Sequence, residues 1–132
     1  MRRSKVVGMR DRFHAELDNV SLAQAMHGLS DPLRLRIVAL LAERGETECS
    51  VIYNDLGISK SNASHHFRVL RECGLIWRSH QGQQQSARLR VDEFDGRFPG
   101  LLAAVIRNIG TGEPGPERLR EAGEPEGAPT PR

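Results

Sequence analysis

The chain has 132 residues and a net charge of +2, enough for one small domain and too little for a second core. No apolar run approaches a membrane span, and the basic start MRRSKVVGMR lacks the apolar centre of a secretory signal, so a cytoplasmic location is expected. Two cysteines, Cys49 and Cys73, exclude a disulfide framework and a four-ligand zinc site and leave free thiols as the expectation.

The mild net charge hides an uneven distribution. Residues 57–90 carry Lys60, Arg68, Arg71, Arg78, Arg88 and Arg90 against Glu72 alone. Residues 111–132 carry five glutamates against three arginines. A basic face and an acidic tail follow.

Residues 1–12 hold Arg2, Arg3, Lys5, Arg10 and Arg12 against Asp11, with no sustained period. They read as a basic N-terminal arm, either a frayed terminus or a segment that touches DNA. Between Arg12 and Leu29 the apolar positions Phe13, Leu17, Val20, Leu22, Ala23, Met26 and Leu29 predict one helix or two short ones, broken at Gly28 and Ser30. Asp31-Pro32 then opens a helix, with Asp as N-cap and Pro at the first helical position. Leu33, Leu35, Ile37, Val38, Leu40 and Leu41 make it deeply buried, and Arg44-Gly45 ends it. A third helix is expected from about Cys49 to Leu56, with Val51, Ile52 and Leu56 inward.

Gly57-Ile58-Ser59 is a three-residue turn into the most informative stretch, Ser59 to Gly74, SKSNASHHFRVLRECG. Ala63, Phe67 and Leu70 recur on one helical stripe, widened by Val69 and Cys73. Lys60, Ser61, Ser64, His65 and Arg68 fall on the opposite face, with no carboxylate before Glu72. Ser59 is a good N-cap, Ile58 can staple onto Ala63, and Gly74 supplies a left-handed stop. An ordinary amphipathic surface helix would look similar in isolation. Helix, short Gly-containing turn and a second helix with a polar, basic outer face make a helix-turn-helix, whose second helix suits the major groove.

After Gly74 the period becomes two. Leu75 to Gln81 and Gln85 to Val91 read as two strands around a tip at Gly82 to Gln84, with Ala87, Leu89 and Val91 apolar and Ser86, Arg88 and Arg90 on the other face. A last helix, roughly Pro99 to Ile109, presents Leu101, Leu102, Val105, Ile106 and Ile109. It is apolar over more of its circumference than a small monomer covers, so an isologous interface with the Leu17–Leu29 segment is expected. Beyond Gly110 the chain is Gly, Pro and Glu and is expected to be disordered. The expected architecture is mainly α with a two-stranded β wing, a dimeric winged helix-turn-helix over residues 13–110.

The runs LSDPLRLRIVALL and DLGISKSNASHHFRVLRECGL, followed by the wing, resemble the ArsR/SmtB winged-helix transcriptional repressors of bacteria over about residues 20–107. The resemblance implies a homodimer, a recognition helix in the major groove of a double-stranded, imperfectly palindromic operator, and repression altered by an effector. Many members place two thiols one residue apart at the start of the third helix, where this chain has Glu48 and Ser50 with Cys49 between them. The other common metal site uses carboxylates and histidines on the final helix, and Leu101 to Ile109 contains neither. A typical thiolate-bound metal is therefore not expected as effector, and only an unfamiliar combination of His14, His27 or Cys49 would serve. No cofactor is expected; an unidentified small-molecule or redox effector stays open.

The residues assigned to DNA are Lys60, Ser61, Asn62, Ser64, His65, Arg68, Arg78, His80 and Gln83. Base edges are the expected targets of Lys60, Ser61, Ser64 and His65, and phosphates those of Arg68, Arg78 and Asn62. The tip Gly82-Gln83-Gln84-Gln85 lacks the arginine that members often carry, so its hold is expected to be soft. His66 is expected half-buried, Cys73 in the core, Trp77 as a cap on it, and Cys49, in a first helical turn, as the better redox candidate. Asp92, Glu93 and Asp95 cluster without a histidine or nucleophile, and no Gly-rich phosphate loop appears, so an enzyme is not expected. The competing reading is a winged-helix protein–protein module, which calls for exposed aromatic or leucine anchors on the 60–68 face.

Overall fold

The structure is a computed structural model that describes residues 14–112. After a 3-10 turn at Leu17–Asn19 come helix α1 (Leu22–Gly28), helix α2 (Pro32–Arg44), strand β1 (Thr47–Glu48), helix α3 (Cys49–Leu56), helix α4 (Lys60–Glu72), strands β2 (Ile76–Gln81) and β3 (Gln84–Leu89), helix α5 (Val91–Arg97) and helix α6 (Leu101–Gly112). The basic arm expected over 1–12, and all but the first two residues of the tail expected over 111–132, lie outside the described residues.

The helix starts follow local chemistry. Ser21 and Gln24 make a reciprocal capping box at α1. Asp31 Oδ2 accepts from the Leu33 and Arg34 backbone N–H groups at 2.9 and 3.1 Å, and Pro32 occupies the position where a missing N–H costs nothing. Ser59 Oγ accepts from the Asn62 N–H at the head of α4. Such caps contribute about 1 kcal/mol each. Gly57, at φ +69°, makes the turn between α3 and α4 in a conformation that other residues rarely adopt.

Ala63, Phe67 and Leu70 of α4 are 1, 2 and 0 % exposed and meet Ile37 and Val38 of α2, Ile52 of α3, and Leu75 and Ile76 in one core. Burying side chains of this size stabilises by about 1.5–3 kcal/mol each before entropy is counted. Val51, expected inward, is exposed, because Cys49, Ile52 and Leu56 define the inner stripe and Val51 lies about 100° round from Ile52.

The sheet is three-stranded rather than two-stranded, antiparallel in the order β1-β3-β2, with Thr47 opposite Ala87 and Ile76 opposite Leu89. A two-residue strand has no period to detect, so β1 is visible only through its partner. Strand β3 stops at Leu89. Val91, expected to extend the apolar alternation, instead begins α5 and is exposed. Arg90, expected on the basic outer face, is buried, stacks 3.9 Å over Trp77 and donates to the Ala15 carbonyl. Helix α5 was not expected. Its Phe94 and Phe98 enter the core, and its Arg97 donates to the Leu17 and Val20 carbonyls at 2.9 and 2.8 Å, tying it to the start of the described chain. Helix α6 begins two residues later than expected and continues through Gly112, past the boundary expected at Gly110.

Candidate nucleic-acid interface

The α4 residues expected to contact DNA share one exposed face. Lys60, Ser61, Asn62, Ser64, His65 and Arg68 are all exposed, while Ala63, His66, Phe67 and Leu70 are buried. Exposed aromatic or leucine anchors are absent from this face among the described residues, which removes the feature that a protein-docking helix would show. His65 leans on its own turn, with Nδ1 3.3 Å from Arg68 Nη2 and its ring centroid 5.2 Å from that of His66.

The wing brings the second group. His80 and Gln83 are exposed near its tip, and Gly82 turns it at φ +62°. Arg78 differs from the others. It is half-buried, donates from Nη2 to Gln85 Oε1, and lies 5.1 Å from the centroid of the Phe67 ring. Its backbone N–H donates to His14 Nε2 at 2.7 Å, so His14 closes the outer edge of β2. Arg78 thus braces the wing against α4 as well as presenting a cation.

Between wing and α4 lies an open notch of about 140 Å³, with Lys60 and Ser64 on one wall, Arg78, Gln83, Gln84 and Gln85 on the other, and Cys49 and Tyr53 below. It brings together four of the nine residues assigned to DNA. Gln84 and Gln85 were legible only as part of the wing tip, and Tyr53 carried no signal, because only the fold sets them beside Lys60.

Both thiols are shielded. Burial raises the Cys49 pKa, opposed by the charge of Arg78 and a hydrogen bond from it, and aided by Glu48. Burial likewise pushes Cys73 up to about 11. The helix-start argument for a reactive Cys49 is outweighed by desolvation. Among the described residues no three His, Cys, Asp or Glu side chains are grouped so that they could hold a metal ion. No helix among them is long and apolar enough to cross a membrane.

Beneath the reading face is a buried polar knot. Arg34 of α2, 6 % exposed, donates from Nε to the Gly28 carbonyl at 2.9 Å and from Nη2 to the His27 carbonyl at 3.1 Å. Its Nη1 lies 3.2 Å from Nδ1 of His66, which is also 6 % exposed. Burial lowers the His66 pKa; Asp31 raises it, and Arg34 and His65 lower it. Sequence reasoning placed His66 at the core margin but missed Arg34, which nothing but the fold separates from its neighbour Arg36.

A polar helix face beside a β-wing, carried on a helix-turn-helix core, defines a winged helix-turn-helix DNA-binding protein. Known proteins agree. The bacterial regulatory protein, arsR family, matches over residues 31–77. The HTH-type transcriptional regulator YceK of Bacillus subtilis is 36 % identical over 89 residues, spanning 67 % of this chain and 89 % of that one. The HTH-type transcriptional regulator CmtR of Mycobacterium tuberculosis is 32 % identical over 99 residues, 75 % of this chain and 82 % of that one. The transcriptional repressor BigR from Xylella fastidiosa shares the fold, with a TM-score of 0.54 at 22 % identity, over 83 % of this chain and 95 % of that one. The chain belongs to the arsR family and is a DNA-binding transcriptional regulator.

Proposed function

We propose that the protein is a homodimeric repressor that reads an imperfect palindrome with α4 in successive major grooves, half-site centres about 10 base pairs or a small multiple apart. Lys60, Ser61, Ser64 and His65 meet base edges, Lys60 at guanine; Asn62 and Arg68 hold phosphates on the same helix. His80 and Gln83 follow the backbone at the wing, and Arg78 holds a phosphate there. The observation that carries this reading is the division of α4 into a buried apolar stripe and an exposed face of hydroxyls, imidazole and cations.

Dimerisation is supported by apolar surface that the monomer leaves uncovered. Leu22 and Met26 of α1 are 56 and 50 % exposed, and Leu101, Val105, Ile106 and Ile109 of α6 are only partly buried. The effector class proposed is an unidentified small molecule or a redox signal rather than a typical thiolate-bound metal, because Glu48 and Ser50 flank a single Cys49 where paired thiols would be needed.

Selection of binding sites from random DNA, followed by fluorescence anisotropy on the selected site, tests this. A palindromic consensus with salt-dependent binding is expected. Failure to enrich any sequence, or enrichment of a site with no two-fold character, overturns it.

A further inference from the structure

The Arg34–His66 contact joins three helices at one point. The guanidinium sits at the C-terminal end of α1, where the His27 and Gly28 carbonyls accept from it and the helix dipole favours a cation. Its remaining contact is the Nδ1 edge of His66, on the helix that carries the reading face. Guanidinium N–H groups only donate, so Nδ1 accepts and the ring is neutral, with its proton on Nε2. A second proton would set a donor and a positive charge against Arg34 at 3.2 Å.

The groups facing His66 give no easy relief. From α2 come Arg34 and Asp31; from α1 come the two carbonyls, with His27 itself exposed; from α4 comes the ring of His65. Asp31 Oδ2 lies 3.9 Å from Nδ1 and favours a protonated ring, but that oxygen already accepts from the Leu33 and Arg34 N–H groups that start α2, and Arg34 stands closer.

We propose that His66 is a positioning residue for DNA recognition: only its neutral form, accepting from Arg34, holds α4 in register, so acidification releases the operator. His65, in ring contact with His66, and Arg68, bonded to His65, carry the displacement to the reading face. Protonation of buried His66 weakens binding. The inference rests on the DNA-binding role of α4.

The test is operator affinity of the full chain as a function of pH at constant ionic strength, for wild type and His66→Asn. Asn places Oδ1 at the same bond distance from the backbone as His Nδ1, so it keeps the acceptor and removes the titration. As the pH falls from about 7 toward the acid limit of the folded protein, wild-type operator affinity should fall at least about threefold further than that of His66→Asn, each taken relative to its own value near pH 7. An equal pH dependence in wild type and His66→Asn, or a smaller fall in wild type, overturns the proposal. Should His66→Asn not fold, NMR titration of the wild-type His66 ring decides. Operator binding must shift that titration to lower pH by reciprocity, and an unchanged or raised value overturns the proposal. Absence of operator binding near pH 7 would instead defeat the DNA-binding assignment of α4, a separate result.

Discussion

Single side chains on α4 and the wing divide by what their loss should do. Ser64→Ala and His65→Ala should each cost about 1–3 kcal/mol on the operator and leave binding to scrambled DNA nearly intact, by anisotropy on both sequences. Arg78→Ala should weaken binding to every sequence and flatten the log–log salt slope by about one unit. Because Arg78 also stacks on Phe67 and bonds Gln85, the same change should lower stability by about 1 kcal/mol in urea unfolding, a loss that Ser64→Ala should not share. The thiols make a second prediction. With Cys73 near 11 and Cys49 also raised, neither should react with a thiol reagent at neutral pH until the chain unfolds. Rapid labelling of Cys49 in the native protein would restore it as a redox sensor. The exposed polar face of α4 was legible in the sequence because a 3.6-residue period assigns each position a side. The second role of Arg78 was not, since Phe67 is eleven residues away and meets it only through the fold.

At the level of elements, the C-terminal end of α1 is locked onto the C-terminal end of α4 at unusually short range. A Cβ built on Gly28 would stand 2.2 Å from Cys73 Sγ, inside a packed contact. Gly28→Ala should therefore destabilise by about 1–3 kcal/mol despite the better helix propensity of alanine. Adding Cys73→Ala should recover part of that loss in a double-mutant cycle, and strict additivity would show that the contact is not the cause. Among the elements that sequence reasoning found, α2 and α4 announce themselves with a cap and a long apolar period, and α3 by its position between them and its Ile52 and Leu56. Those it missed do neither. Thr47–Glu48 is two residues long, and α5 hides its Phe94–Phe98 pair around Gly96, with Pro99 following. Asp92 and Glu93, which drew notice as an acidic cluster, are the acidic first turn of that helix.

For the whole molecule the decisive property is the apolar surface on α1 and α6, and the structure changes which residues test it. Leu102 lies on the same helix as Val105 but is 2 % exposed, in contact with the monomer core, whereas Val105 is only partly buried. A charge at Leu102 would be buried in the protomer itself, so Leu102→Glu should abolish folding outright. Val105→Glu and Met26→Glu should instead leave a folded protomer, with native circular dichroism, that sediments as a monomer where wild type sediments as a dimer. On the proposed two-fold model two copies of α4 span successive grooves, so these variants should also lose operator affinity far more than non-specific affinity. Acidification offers a control from the same surface. If release at low pH proceeds through His66 and not through dissociation, wild type should still sediment as a dimer at the pH where the operator is lost. A wild-type protein that is monomeric at micromolar concentration near pH 7 would remove the two-fold model of recognition, and with it the palindrome.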